Sequence, residues 1–293
     1  MFAGAPRNPR AGEAIHGRNK TASSWRNAEA GLEDYSPRRE QERSVPDYDF
    51  TAQRLFLDIP LVAGEECAAP ASVHNYLLNV LRLRAGDAIH VFNGRDGEFR
   101  ARLSEASRRL VRLRIEERLR EQNAPADLDY AFAPLKQARL DYMVQKAVEM
   151  GAGSLTPVIT SRTQVRRLNL ERLRANVIEA AEQCGVLAIP EAREPVSLST
   201  YLAGLSTARL LVFCDERADV ANPIGALMPL AARAGAGVSV IIGPEGGFDD
   251  AERALLMRTP NVARISLGTR ILRADTAAVA ALAVVQATLG DWR

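Results

Sequence analysis

The chain has 293 residues, of which 47% are hydrophobic and 25% are charged, and its formal net charge is +2. This length is enough to bury a core in two domains without disulfides or a structural metal. The three cysteines and three histidines are scattered, and no apolar run is long enough to span a bilayer. We therefore expect no metal site, no disulfide framework, no membrane segment and a cytoplasmic location.

The first 120 residues divide into two parts. Residues 1–48 are polar and almost without apolar periodicity, which predicts a disordered extension with no function of its own. Residues 49–120 predict a small β domain, and the turn motif NGRDG at 93–97 predicts a hairpin inside it. The predicted strands are 54–58, 88–92, 98–104 and 109–116, with one helix over 72–83. The charged stretch 116–127 contains a proline and predicts a linker.

Residues 121–293 show strands and helices in alternation, which predicts an α/β domain with a parallel sheet. The runs over 208–216 and 238–243 are almost entirely apolar, as central parallel strands are. Further strands are expected over 128–134, 154–160 and 263–267, and helices over 137–151, 169–185 and about 275–289. The first of these helices has an apolar face formed by Leu140, Met143, Val144, Ala147 and Val148.

The stretch IIGPEGGFDDAE, residues 241–252, leaves a buried strand through three glycines that surround one carboxylate, Glu245. Open α/β sheets bind ligands at the carboxyl ends of their strands. Glycines let a ligand approach the backbone closely, and Asp249 with Glu252 predicts a capping box for the next helix. A plain strand-to-helix turn is the alternative. The spacing matches neither common nucleotide-binding glycine motif.

A second glycine-bearing exit, SLGTRILRADTAAVAAL, spans residues 266–282. Two such loops after neighbouring strands are expected to form two walls of one pocket. Arg273 stands before a helix that Asp275 or Thr276 would cap, where positive charge disfavours the helix, so it indicates an anionic partner or a surface ion pair. The final helix is apolar nearly all round, which fits either core burial or a subunit interface.

These two stretches, in this order near the carboxyl end, resemble the RsmE-type ribosomal RNA methyltransferases of the SPOUT class. Upstream, VQKAVEMGAGSLTPVITSRTQV and AAEQCG resemble further segments of that family. The stretch HNYLLNVLRLRAGDAIHVFNGRDGEFRARL resembles the family's PUA-like domain. The match covers about residues 50–293, and Val186 departs from it where members often carry a basic residue.

The resemblance implies methylation of uridine N3 in the decoding region of 16S rRNA, with S-adenosylmethionine as the methyl donor. It implies a PUA-like RNA-binding domain over 49–120 and a SPOUT domain over 121–293 that contains a trefoil knot. It also implies a homodimer that acts on the small ribosomal subunit without a metal. The alternatives left open are a SPOUT methyltransferase for tRNA or 23S rRNA and a non-catalytic assembly factor that binds rRNA.

Three groups of site residues follow from the resemblance and from the loop chemistry. The residues expected to hold the cofactor are Gly243, Pro244, Glu245, Gly246, Ser266, Leu267, Gly268, Ile271 and Leu272. The residues expected to act in catalysis are Arg273, Arg162 and Glu245, with Asp275 as a second candidate base. The residues expected to contact RNA are Arg54, Arg82, Arg84 and Arg166, and Arg95 is a further plausible contact.

Overall fold

The computed structural model describes residues 52–219 and 222–292, so the predicted disordered extension lies outside the described residues. The described chain holds a five-stranded sheet followed by a seven-stranded sheet. All pairings in the second sheet are parallel. This order confirms the predicted fold class, a small β domain before an α/β domain. The predicted knot stays a prediction.

The five-stranded sheet has the strand order β1-β3-β4-β5-β2. Its strands are β1 (Arg54–Phe56), β2 (Glu66–Ala68), β3 (Ala88–Phe92), β4 (Glu98–Ala106) and β5 (Val111–Arg120). β3 and β4 form the predicted antiparallel hairpin, with Ala88 opposite Arg102 and Phe92 opposite Glu98. β2 has only three residues and lies in a stretch that carries no alternation, so no sequence pattern predicts it.

Two predictions for this domain need correction. The predicted helix 72–83 is shorter: α1 (Ala71–Asn75) continues as a π-helical turn over Tyr76–Val80. It ends at Arg82, which adopts a positive φ of 57°, and the Leu83 N–H then donates to the Leu77 carbonyl at 2.9 Å. The predicted linker 116–127 is partly strand, since β5 runs on to Arg120 opposite Glu98.

The seven-stranded sheet has the order β12-β10-β11-β6-β7-β8, with β9 paired to β7. Its strands are β6 (Leu128–Phe132), β7 (Ser154–Ile159), β8 (Glu191–Ala192), β9 (Val196–Ser197), β10 (Leu210–Cys214), β11 (Val238–Ile242) and β12 (Val262–Ile265). The apolar strands β6, β10 and β11 occupy neighbouring central positions and are buried on both faces. Five of the seven strands were predicted, and the two missed ones, β8 and β9, have two residues each.

Helices cover both faces of this sheet. They are α2 (Gln137–Glu149), α3 (Leu170–Cys184), α4 (Leu198–Gly204), α5 (Pro223–Leu227), α6 (Asp250–Met257) and α7 (Ala274–Thr288), with a 3-10 segment over Met228–Ala236. One core cluster joins α2, α3, α5 and α7 to the sheet, and another joins α4 and α6 to it. The predicted apolar face of α2 is fully buried, and α3 ends at Gly185 in the left-handed conformation, as predicted.

Of the two helix caps predicted near the carboxyl end, that of α6 is confirmed and that of α7 is not. Asp249 caps α6, and Glu252 completes the capping box, as the sequence predicts. The predicted cap of α7 is wrong, because its N-cap is Arg273, which makes no capping hydrogen bond. Asp275 lies in the first turn instead, where a carboxylate complements the helix dipole.

Candidate active site

A cavity of about 290 Å³ lies at the carboxyl ends of β10, β11 and β12. These strands are direct neighbours, with β10 between the other two, so their exit loops emerge side by side. The two glycine-bearing loops therefore line one cavity, as the sequence analysis expected. Its walls are residues 214–216, 242–248 and 266–272, together with Ala274 and Ala277 of α7. All nine residues expected to hold the cofactor are on these walls.

The β11 exit is a tight turn in which the Gly247 N–H donates to the Pro244 carbonyl at 2.8 Å. Gly247 has a φ of 67°, a conformation that glycine adopts without strain. A Cβ on Gly243 would stand 2.8 Å from the Phe248 ring, a buried side chain that packs edge-on against Phe213. Two of the three glycines are therefore required by the turn itself, which supports in part the alternative of a plain strand-to-helix turn.

The β12 exit lines the cavity with residues 266–272. No protein acceptor within the described residues pairs with the backbone N–H groups of 268–272. Leu267 and Leu272 are half-buried beside them, and the Ser266 hydroxyl donates to the Gly268 carbonyl at 3.2 Å. Ile271 is 93% exposed, which is unusual for a large apolar side chain. The loop thus offers apolar surface and free donors together, as a planar heteroaromatic ligand requires.

The third wall, at the end of β10, is formed by residues that were not among the predicted site residues. Its acids are Asp215, which is buried, and Glu216, whose side chain is 49% exposed. Asp215 accepts from Arg264 Nε at 2.6 Å and pairs with Arg253. Glu216 Oε1 accepts from Arg253 Nη2 at 3.0 Å. The signal was available in the sequence, since two acids follow a buried strand directly in VFCDE.

Cys214 ends the same strand and also lines the cavity. Burial raises the pKa of its thiol to about 12. The thiolate, not the thiol, is the nucleophilic form of cysteine. The side chain therefore stays neutral at physiological pH and adds soft apolar surface to the cavity without competing for an electrophile.

A second cavity, of about 310 Å³, lies across the 244–246 turn from the first. Its basic lining residues are Lys136, Arg139 and Arg162, and Glu245 is its acid. Glu245 pairs with Arg139, and both side chains are partly exposed. The two cavities adjoin at this turn, because residues 244–246 line both of them.

The two arginines expected to act in catalysis are both exposed, but they lie in different surroundings. Arg162 donates from Nη1 to the Gly246 carbonyl at 2.6 Å, which places its guanidinium on the turn between the cavities. Arg273 precedes α7 and makes no ion pair or side-chain hydrogen bond within residues 52–219 and 222–292. Within the described residues, Arg273 therefore does not form the surface ion pair that was the alternative to an anionic partner.

The arginines expected to contact RNA also separate into two groups. Arg82, Arg84 and Arg166 are exposed, and Arg82 and Arg84 follow the π-helical turn of the β domain. Arg95 is exposed as well and pairs with Asp58 at 2.9 Å. Arg54 is only 7% exposed and lies between the β domain and α3.

The expectation that Arg54 contacts RNA is therefore corrected by its placement. Arg54 Nε donates to Glu98 at 2.6 Å, and the guanidinium also donates to the carbonyls of Ala181, Glu182 and Val186. It lies 4.3 Å from the centre of the Phe92 ring. Four hydrogen bonds inside the protein hold this buried guanidinium, so Arg54 joins the β domain to α3 instead of facing a phosphate.

The comparisons with known proteins agree with this arrangement. A family model described as an RNA methyltransferase domain matches residues 122–286, and one described as an RNA methyltransferase PUA domain matches residues 74–116. Ribosomal RNA small subunit methyltransferase E of Rickettsia conorii is 35% identical over 235 residues, which are 80% of this chain and 94% of that protein. The chain belongs to the RNA methyltransferase family, in the branch whose curated members are named Ribosomal RNA small subunit methyltransferase E.

Solved structures of methyltransferases are also similar to this chain. Ribosomal RNA small subunit methyltransferase E from Neisseria gonorrhoeae, solved bound to S-adenosyl methionine, has a TM-score of 0.72 at 28% identity and covers 83% of this chain and 100% of its own. A putative methyltransferase from Legionella pneumophila, solved with its bound cofactor SAM, has a TM-score of 0.70 at 29% identity and covers 80% and 97%. In the described part of this chain, no helix is long and apolar enough to cross a membrane.

Proposed function

We propose that this protein transfers a methyl group from S-adenosylmethionine to N3 of a uridine in the decoding region of 16S rRNA. The observation that carries the proposal is the single cavity built from three neighbouring strand exits in a chain of this family. Its relatives named as small-subunit rRNA methyltransferases support the substrate, and its structural neighbours support the cofactor.

The residues of the cavity fit S-adenosylmethionine. The free N–H groups of 268–272 and the apolar side chains of Leu267 and Leu272 match the hydrogen-bonding edge and the faces of adenine. The bare turn at 243–247 lets the rest of the molecule lie against backbone. The uncharged Cys214 thiol leaves the methyl group to an external acceptor. When bound, the cofactor supplies an electrophilic methyl group.

The chain's own residues would position the two substrates and help to remove the proton from uridine N3. N3 of uridine carries a proton at neutral pH, so a base has to accept it or a cation has to stabilise the anion. Glu245 is the candidate base, since it stands on the turn shared by the two cavities, with Asp275 as the second candidate. Arg162 and Arg273 are the cations placed to stabilise a uracil anion or to hold a phosphate.

The RNA would lie across the second cavity and the exposed arginines of the β domain. Lys136, Arg139 and Arg162 give that cavity the positive charge that phosphates require. Arg82, Arg84 and Arg166 would extend the contact, because sequence-specific RNA recognition uses splayed bases and basic side chains on phosphates. The protein would act in the cytoplasm on the small ribosomal subunit.

A homodimer and a knotted SPOUT domain are part of the same proposal. The support for a dimer is α7, whose Val279, Ala280 and Ala283 remain partly exposed and whose Ala287 is exposed. The support for the SPOUT class is the all-parallel sheet with its cavity at three adjacent strand exits.

The proposal is tested by methyl transfer to small ribosomal subunits from cells that lack the modification. With radiolabelled cofactor, we expect incorporation into 16S rRNA, which mass mapping places at N3 of one uridine. Label in tRNA or 23S rRNA would assign another substrate. Binding of rRNA with no transfer, under conditions in which the cofactor also binds, would assign an assembly factor.

A further inference from the structure

Three acids line the first cavity, and two of them, Glu216 and Glu245, leave one carboxylate oxygen without a hydrogen bond from the described residues; of these two, only Glu216 follows β10. Asp215 is buried between Arg253 and Arg264, and Glu245 is paired with Arg139 across the turn. Glu216 uses only Oε1, toward Arg253, and within the described residues Oε2 accepts no hydrogen bond. Its carboxylate is half exposed and faces the turn, since a Cβ on Gly247 would stand 2.9 Å from Oε1.

The sheet order fixes where Glu216 lies relative to the rest of the site. β10 runs between β12 and β11, so its exit lies between two other exits. One is the loop 266–272, assigned to adenine, and the other is the turn 243–247, assigned to the methionine end of the cofactor. A molecule that spans from one loop to the other passes over the end of β10 with its middle part. The middle of S-adenosylmethionine is the ribose, with its two neighbouring hydroxyl groups.

We propose that Glu216 binds the ribose diol of the cofactor. This inference rests on the proposed function, because it takes the cavity to be the cofactor site. Carboxylates at the end of a neighbouring strand bind ribose hydroxyls in other nucleotide-binding α/β folds, since each hydroxyl donates to a negatively charged acceptor. Arg253 holds the carboxylate in place through Oε1, and Oε2 is left for a ligand.

The test is calorimetric titration of the wild type and of Glu216→Gln with three ligands. S-adenosylmethionine carries ribose, sulfonium and amino acid, S-adenosylhomocysteine lacks the sulfonium charge, and 5′-methylthioadenosine lacks the amino acid as well. A lost hydrogen bond to a charged acceptor weakens binding by about tenfold or more. We expect that loss for all three ligands by the same factor, because all three contain the diol.

A matched control is Asp250→Asn, which removes another carboxylate paired with an arginine, Arg217, but does not line the cavity. We expect unchanged affinities for it and unchanged melting temperatures for both variants. Glu216→Ala, which keeps neither charge nor acceptor, should match Glu216→Gln or bind more weakly.

Four outcomes would overturn the inference. A loss for S-adenosylmethionine alone would place Glu216 at the sulfonium, and a loss that spares 5′-methylthioadenosine would place it at the amino group. Equal affinities of variant and wild type for all three ligands would remove Glu216 from the site while leaving the proposed function intact. A wild type that binds none of them would defeat both proposals.

Discussion

The junction around Arg54 and the cavity around Glu216 both bring arginines and carboxylates together, but they differ in burial. At the junction, the fully buried Glu98 carboxylate accepts hydrogen bonds from Arg54 Nε at 2.6 Å and from Arg120 Nε at 2.5 Å. At the cavity, Glu216 is half exposed and keeps one oxygen unused by the described residues. Removing one partner of a buried, fully paired charge destabilises a structure, whereas exposed and partly paired charges are available to a ligand.

The first prediction tests the buried side of this contrast and has the largest expected effect. Glu98→Ala leaves two arginine side chains at the junction without their carboxylate, which should cost about 3–5 kcal/mol of unfolding free energy. Glu117→Ala is the matched control, because Glu117 pairs with Arg100 while 58% exposed. An exposed pair contributes about 0–1 kcal/mol. Denaturant unfolding measures both, and equal losses would contradict the structural role of the junction.

The second prediction concerns the bare turn of the cavity. A Cβ at Gly246 would stand 3.3 Å from Arg162 Cδ, and the methyl groups of a valine would take space at the turn. Gly246→Val should weaken S-adenosylmethionine binding by more than about 100-fold, or roughly 2.7 kcal/mol. Gly204→Val is the control, because nothing lies within 4 Å of a Cβ there. Unchanged affinity by calorimetry would defeat the assignment of the turn to the cofactor.

The third prediction separates chemistry from binding at the same turn. If Glu245 accepts the uridine proton, Glu245→Gln should lower turnover by about 100-fold, the lower end of general-base effects. Its affinity for S-adenosylmethionine should change by less than about threefold, or roughly 0.7 kcal/mol. Glu194→Gln, an exposed acid outside both cavities, should leave turnover and affinity unchanged. Parallel losses of turnover and affinity would instead make Glu245 a binding residue.

The fourth prediction concerns how the stabilisation by ionised Glu98 at the junction depends on pH. Burial pushes the pKa of Glu98 upward, but the hydrogen bonds and charges of Arg54 and Arg120 outweigh it and hold the pKa below its usual range. A carboxylate with a depressed folded-state pKa stabilises the fold above its unfolded pKa of about 4.3, and this contribution is lost as the pH falls through the folded-state pKa.

The stability difference between the wild type and Glu98→Gln should therefore be full at neutral pH and shrink below about pH 4. Urea unfolding at a series of pH values measures it. A difference that stays constant down to pH 2 would show that Glu98 does not ionise differently on folding.

The fifth prediction has the smallest effect and contrasts a buried with an exposed arginine. Arg84→Ala should weaken binding to single-stranded rRNA only a few-fold and reduce the slope of log affinity against log salt by about 0.7, the value for one phosphate. Arg54→Ala should lower the melting temperature and leave that slope unchanged. Filter binding at several salt concentrations measures the affinity and the salt slope of both variants. A changed slope for Arg54→Ala would show that Arg54 contacts RNA.

Much of the fold follows from the sequence because its apolar patterns are long and regular. The buried face of α2 could be assigned from its helical periodicity, and the central strands β10 and β11 from their short, almost continuous apolar runs. The two-residue strands β8 and β9 could not, since they carry too few residues for a pattern. The cap of α7 was misjudged because the helix begins one residue before the first strong capping residue, Asp275.

The site divides in the same way. The glycine-bearing loops are visible in the sequence, because several glycines within a few residues of the end of an apolar strand indicate a tight turn or a close approach to the backbone. The wall at 214–216 was missed, since only the sheet order places β10 between the other two strands. The burial of Arg54 is a tertiary property: an arginine beside a β-strand looks the same in sequence whether its partner is a phosphate or Glu98.

The central claim is that the exits of β10, β11 and β12 together hold the methyl donor. A crystal structure of the protein with S-adenosylmethionine tests this most directly. The account predicts the adenine against the backbone of 266–272, the ribose at Glu216 and the methionine end along 243–247. Donor density outside this cavity, or in it without contact to both glycine-bearing loops, would contradict the account.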